Sequence, residues 1–140
     1  LGFDVVMTID ADGQHDPKLI SLFLDKITEG SDIVLGVRNK IPRVSEYIFS
    51  LYSYFKFQIK DPLCGMKAYK MDVYKKLGYF DSYKSVGSEL AFYGVKNNYK
   101  VSQVCFQVRD RKDDSRYGNK IKANIRILKA LLKTIYRFRK

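Results

Sequence analysis

Two periods of apolar residues alternate along this 140-residue chain. Residues 3–9 form a nearly continuous apolar run, F-D-V-V-M-T-I, which predicts a strand covered on both faces. Asp16 and Pro17 then make a helix-start signal, and Leu19, Ile20, Phe23, Leu24 and Ile27 recur at helical spacing up to a stop at Gly30. Residues 32–37, D-I-V-L-G-V, predict a second short buried strand. Strand, helix and strand at this spacing predict a βαβ unit with a parallel pair. Residues 45–57 predict an aromatic-rich helix with Ile48, Leu51, Tyr52 and Phe55 on one stripe. A turn over 61–65 leads into a short strand at 66–69, followed by helices at 71–77 and 86–97. Residues 101–108 alternate as a third long strand, with Cys105 expected in the core. A basic loop at 38–43 and a polar loop at 109–119 complete the layout, and 120–139 predict a final helix.

Composition places the chain as one globular domain at most. Hydrophobic residues make up 46% and charged residues 29%, which excludes a disordered chain. No apolar run approaches the roughly 18–20 residues of a membrane span. The opening reads as a strand, not as a secretory leader. It begins on Leu1 at the edge of a buried element, as a chain cut at its N-terminus would. Cys64 and Cys105 lie far apart, and His15 is the single histidine, so no zinc-type pattern is present. The net charge of +11 is concentrated in one place. Between Ser115 and Lys140 there are nine Lys and Arg residues and no Asp or Glu. That asymmetry points to an anionic membrane or a nucleic acid.

The chemistry begins where the first strand ends. Asp10 and Asp12 are one residue apart, and residues i and i+2 of an extended segment point the same way. Two hard oxygen donors at a strand's C-terminal edge suit Mg²⁺ or Mn²⁺ carrying a phosphorylated ligand. A strand followed by a solvated acidic turn is the plain alternative. Gln14 and His15 come directly after and either extend that shell or face solvent, the commoner place for a histidine before a helix. Asp61 to Lys67, D-P-L-C-G-M-K, offers a carboxylate, a glycine and a lysine on one turn. Glu89 stands near a helix start, as a general base or as a partner of the helix dipole. Arg111, Arg116 and Lys120 lie in a loop running into a helix, an arrangement suited to phosphate oxygens. In the last helix Ile121, Ile125, Leu128, Leu132 and Ile135 form an apolar stripe beside Lys122, Arg126, Lys129, Lys133 and Arg137. Such a helix fits an anionic bilayer surface or packs its apolar side on the domain.

The order of these motifs is more specific than any one of them. D-A-D-G-Q-H-D-P after a strand, D-I-V-L-G-V-R, D-P-L-C-G-M-K, a helical glutamate and the loop R-x-x-x-x-R-Y-G-N-K together resemble family 2 glycosyltransferases. The resemblance is to the dolichyl-phosphate-mannose-synthase-like, or polyprenyl-phosphate glycosyltransferase, branch, and it covers essentially the whole chain. It implies an α/β GT-A (nucleotide-diphospho-sugar transferase, Rossmann-like) fold. Residues 1–118 would be the C-terminal part of the catalytic domain and 119–140 a basic amphipathic helix, with the first half of the domain upstream of Leu1. It implies a nucleotide-sugar donor, Mg²⁺ or Mn²⁺, inversion at the anomeric carbon, and a lipid-phosphate or glycan acceptor.

Asp10 and Asp12 match the metal- and diphosphate-binding D-x-D, and Gln14 a position that can join it. Asp61–Lys67 match the turn lining the sugar and acceptor side, with Asp61 and Glu89 as the catalytic carboxylates. Arg111, Arg116 and Lys120 match the phosphate-closing loop. In that loop Asn119 stands where the family has serine. The implied setting is the cytoplasmic, inner face of a membrane, engaged peripherally through the C-terminal helix, in cell-envelope or glycoconjugate synthesis, with no nucleic-acid partner. An inactive fragment of such an enzyme, a haloacid-dehalogenase-like phosphatase and a basic nucleic-acid-binding module are the competing readings.

Overall fold

The computed structural model describes residues 2–82, 85–109 and 120–139, with Lys120 described by its backbone alone. In chain order the elements are β1 (Val5–Thr8), α1 (Leu19–Thr28), β2 (Ile33–Arg38), α2 (Val44–Phe57) and β3 (Lys67–Lys70). They continue with α3 (Met71–Leu77), α4 (Ser88–Lys96), β4 (Val101–Phe106) and α5 (Lys120–Arg137). The four strands form one sheet in the order β1-β3-β2-β4. β3 runs antiparallel to both β1 and β2, whereas β2 and β4 are parallel. The predicted parallel neighbours β1 and β2 therefore share a direction but are separated by β3. A two-residue apolar strand period carries no information about which strand lies alongside, so the inserted antiparallel strand was not visible in it.

The sheet divides the core by alternation. Ile33, Leu35 and Tyr69 face a cluster with Phe49, Phe57, Leu90, Phe92, Leu131 and Phe138. Val34 and Ala68 face the opposite side, with Phe23, Ile27, Cys64, Met66, Val104 and Phe106. Helix α1 buries Phe23 and Ile27 on that second side, while Leu24 and Ile20 stay exposed. Helices α2, α4 and α5 cover the first, where the Phe57 and Phe92 rings stack at 4.5 Å. Each fully buried ring contributes about 1.5–3 kcal/mol.

Three expectations change. Cys105 is exposed on β4 and not in the core. β1 is an edge strand among the described residues, and Val6 on one of its faces is exposed, so the strand is not covered on both faces. On α5 and the residue after it, the buried positions are Ala123, Ala130, Leu131, Thr134 and Phe138, so the stripe of Ile121, Ile125, Leu128 and Leu132 faces outward. The small residues Ala123 and Ala130 let α5 approach α2 closely, where Ser45 Oγ donates to Asn124 Oδ1 at 2.5 Å.

One glycine positions the turn that carries the second motif. A Cβ on Gly36 of β2 would lie 2.8 Å from Cys64 Sγ, Met66 O and the Phe106 ring. The 64–66 turn is thus laid directly onto β2, with Gly36 N–H donating to Met66 O at 2.9 Å. Gly36→Ala should lower stability by about 1–3 kcal/mol through overpacking, measured as a shift in the urea unfolding midpoint.

Candidate active site

Strand register brings the first motif to the second. Thr8 pairs with Lys67 across β1 and β3, and two further residues along that antiparallel register place Asp10 opposite Gly65. The contact is direct: a Cβ on Gly65 would lie 2.1–2.3 Å from the Asp10 carboxylate atoms. Only glycine leaves room for that carboxylate. Thr8 Oγ1 donates to Gly65 O at 2.8 Å and secures the same junction.

The loop after β1 closes on itself. Asp12 Oδ1 accepts the Gln14 N–H at 3.1 Å, and His15 Nδ1 accepts the Asp10 N–H at 3.3 Å. His15 is buried against the Phe106 ring, not on the surface as its place before a helix suggested. Burial lowers its pKa, against the opposing pull of Asp10 and then Asp12, so both carboxylates lie within electrostatic reach of one ring. The Asp16 carboxylate accepts the Lys18 N–H and pairs with Arg109. Arg109 N–H also donates to Gln14 O at 3.0 Å. The chain leaving β4 is thereby fastened to the loop that holds Asp12. Arg111 and Arg116 lie outside the described residues, as does the Lys120 side chain.

Asp61 is buried and fully engaged. Arg38 Nε donates to Asp61 Oδ2 at 2.7 Å, Arg38 Nη2 to Asp61 Oδ1 at 3.0 Å, and the Arg38 N–H to Oδ2 at 3.2 Å. Arg38 Nη2 also reaches Glu46 Oε2 at 2.9 Å, and Arg43 Nη1 reaches Glu46 Oε1 at 2.6 Å. Burial disfavours the Arg38 charge, but Asp61 and Glu46 outweigh it and raise its pKa above the ordinary value. This network of Arg38, Glu46 and Arg43 was missed in the sequence. Its available signal was Glu46 standing at helical spacing with Phe49, Ser53 and Phe57, a carboxylate on the buried face of an aromatic helix.

Beside it, the Cys64 thiol is buried and pushed up to about 11, chiefly by burial and then by Asp61. Lys67 is wholly buried, and burial brings its ammonium down to about 8 against the pull of Cys64, Asp61 and Asp10.

Glu89 is 1% exposed at the start of α4. Its Oε2 accepts the Ser82 N–H at 2.5 Å, the Ser82 hydroxyl lies 2.9 Å from both oxygens, and Arg137 Nη1 donates to Oε1 at 2.9 Å. Arg137 comes from the last turn of α5, a link that spacing along the chain does not disclose.

β1, β2 and β4 point the same way, so Asp10, Asp12, Arg38 and Arg109 all gather at one C-terminal edge of the sheet. In open α/β sheets that edge is the ligand edge. Among the described residues no group of three or more His, Cys, Asp and Glu could hold a metal ion. The Asp10 and Asp12 carboxylates remain a donor pair suited to a hard cation that completes its shell with water and phosphate oxygens.

Solved structures with this layout decide the fold. Glucosyl-3-phosphoglycerate synthase from Mycobacterium tuberculosis, in complex with phosphoglyceric acid, superposes with a TM-score of 0.71 at 18% identity, over 95% of this chain and 50% of that one. The chain has the GT-A glycosyltransferase fold. The same synthase in complex with Mn²⁺, UDP-glucose and glycerol 3-phosphate superposes at 0.70, with 16% identity over 98% of this chain and 50% of that one. A curated relative, polyprenol monophosphomannose synthase from Mycolicibacterium smegmatis, is 29% identical over 126 residues, 79% of this chain and 47% of the relative. Both relatives are glycosyltransferases, and the resemblance to family 2 read from the motif order is borne out. The chain spans about half the length of each. No family model matches it.

The Asp61 network makes a stability prediction within this GT-A frame. Asp61→Ala leaves the Arg38 charge buried with Glu46 alone, and should cost about 3–5 kcal/mol. Equilibrium denaturation of the variant against the wild type measures it.

Proposed function

We propose that the protein to which this chain belongs is a metal-dependent, inverting glycosyltransferase. It moves a sugar from a nucleotide-sugar donor to a polyprenyl-phosphate acceptor in cell-envelope or glycoconjugate synthesis. The observation that carries the reading is the Asp10 carboxylate seated on Gly65, with Asp12 beside it, at the C-terminal edge of the sheet.

Asp10 and Asp12 would hold Mg²⁺ or Mn²⁺, and Gln14 lies beside them to join that shell. The bound cation would neutralise charge on the departing nucleoside diphosphate. Everything else is done by the chain's own groups. The 61–67 turn forms the floor on which the sugar sits, kept in place by the Asp61–Arg38 pair. Asp61 thereby acts as an anchor, since both of its oxygens already accept from Arg38. Arg111, Arg116 and Lys120 supply cationic contacts to phosphate oxygens.

The acceptor oxygen attacks the anomeric carbon from the face opposite the diphosphate. Its bond to carbon forms as the carbon–oxygen bond to the leaving group breaks, and the electron pair of that bond departs with the diphosphate. A phosphate acceptor is already ionised and has no proton to lose. Glu89 fits that case as an orienting carboxylate, because Ser82 and Arg137 occupy its oxygens. A glycan hydroxyl would instead require Glu89 to take a proton.

The lipid nature of the acceptor has its own support. Val44, Tyr47, Ile48, Leu51 and Phe55 stay exposed on α2, and Ile121, Ile125, Leu128, Leu132 and Tyr136 on α5, which packs against it. Contiguous exposed apolar surface marks an interaction site, and here Lys122, Arg126, Lys129 and Lys133 share the helix. We place this face on an anionic, cytoplasmic membrane surface that the protein meets peripherally. Among the described residues no helix is long and apolar enough to cross a membrane.

Two measurements test the reading in the full-length protein. Asp12→Ala should reduce Mn²⁺-dependent sugar transfer from UDP- and GDP-hexoses to polyprenyl phosphate by at least a hundredfold. Activity within a few-fold of wild type would remove the metal role. The double substitution Ile125→Glu with Leu132→Glu should weaken binding to vesicles containing anionic phospholipid at least tenfold in a sedimentation assay, with the thermal midpoint unchanged.

A further inference from the structure

We infer that Lys67 is a positioning residue that sets the spacing between the two halves of the site, the 61–67 turn beneath Asp10 and the 85–89 turn that presents Glu89. The inference rests on the glycosyltransferase reading and adds a residue to it.

Lys67 opens β3, and its side chain is entirely buried. A lysine is among the residues least often found fully inside a protein, because its ammonium loses its water. Here that loss is offset by two backbone carbonyls from different segments. Nζ donates to Cys64 O at 2.7 Å and to Val86 O at 2.5 Å. The first carbonyl belongs to the turn that carries Gly65, against which Asp10 rests. The second belongs to the turn entering α4, three residues before Glu89. One ammonium therefore ties together two segments that are distant along the chain. It is shielded from solvent, so it acts through these two segments and does not touch a substrate.

The second turn needs such a tie. Val86 has a φ of +56° and Gly87 of +72°. A β-branched residue in the left-handed region is a genuine outlier, and it persists only where its surroundings over-determine it. Those surroundings come from the site side. Besides the Lys67 bond to Val86 O, the Tyr69 hydroxyl donates to Gly87 O at 3.1 Å. The Ser88 hydroxyl lies 2.6 Å from Pro62 O and 2.5 Å from Ser85 O. Two of these groups, Lys67 and Tyr69, are on β3, whose register with β1 already places Asp10. β3 thus sets the position of the D-x-D loop through its backbone and of Glu89 through its buried side chains. An apolar residue at position 67 would pack well but leave the buried Cys64 carbonyl and the part-buried Val86 carbonyl without this donor.

The test uses the full-length enzyme with Mn²⁺, UDP- or GDP-hexoses and polyprenyl phosphate. Donor-binding sites are counted by calorimetric titration with the nucleoside diphosphate. Lys67→Met should keep full site stoichiometry and a donor KM within threefold of wild type, while kcat per binding site falls at least thirtyfold. A residue that merely stabilised the fold would lower the number of sites and leave kcat per site unchanged. That result, or kcat per site within threefold of wild type, overturns the inference. If Lys67→Met binds no nucleotide, Tyr69→Phe decides. A three- to tenfold fall in kcat per site at unchanged donor KM supports the tie to the 85–88 turn, and no change overturns it. Wild-type protein that transfers sugar from none of these donors overturns the functional reading, and this role with it.

Discussion

The antiparallel pairing of β3 with β1 is the constraint on which the site depends. It is short, four residue pairs from Val5 with Lys70 to Thr8 with Lys67. A slip of one residue would turn every side chain of β1 to the other face of the sheet. It would also move Asp10 off Gly65, where the missing Cβ leaves its carboxylate room. What holds the register is burial on β3, where Ala68 and Tyr69 feed opposite cores. The Thr8 hydroxyl adds a bond to Gly65 O at the end that matters. The pairing is therefore determined from the centre of the sheet outward, which suits a site located at the sheet's margin.

Charge at this margin is handled in two ways. The edge that gathers Asp10 and Asp12 also gathers Asp61, Arg38 and Glu46 within a short span. Buried ions are stabilised only where geometry is close and their remaining hydrogen-bonding capacity is met. Arg38 meets that condition by spanning two carboxylates, and Arg43 completes Glu46. The carboxylates of the 61–67 floor and of α2 are thus neutralised within the protein. Asp10 and Asp12 are placed by different means: a glycine that makes room, a backbone N–H of their own loop, and the neighbouring His15 ring. The carboxylates of α2 and of the 61–67 turn are thus held by guanidinium groups, while the Asp10 carboxylate occupies the space that Gly65 leaves and Asp12 accepts the Gln14 N–H.

How much of this was legible in the sequence depended on the range of each interaction. Local signals read well: the strand into D-A-D-G, the turn at 61–65 and the approximate positions of all five helices, although α1 starts at Leu19 with Lys18 at its cap, two residues after the expected Asp16. Their order sufficed for the family resemblance and the GT-A fold. Contacts between distant segments read poorly. Arg38 looked like the start of a basic loop because its partner Asp61 lies 23 residues on. His15 looked exposed because Phe106, which covers it, belongs to the last strand of the sheet. The insertion of β3 between β1 and β2 is a pairing choice among several compatible with the same apolar runs.

α5 shows the same limit in a single helix. Its eighteen residues carry two apolar faces, and periodicity alone selects the larger side chains. The buried face is instead the one with Ala123, Ala130 and Thr134, because close helix approach to α2 needs small residues. The bulky Ile121, Ile125, Leu128 and Leu132 are left outside, next to lysines and arginines. The last turn then reaches back over Tyr79 to Glu89 through Arg137. Because α5 is one continuous helix, the residue that holds the buried glutamate and the residues that face outward are rigidly connected. A surface seated on the outward stripe and an acceptor phosphate near Glu89 would thus be registered to each other by helix geometry, about 1.5 Å per residue. In the proposed lipid-phosphate transfer, that spacing along one helix would relate headgroup depth to the position of Glu89.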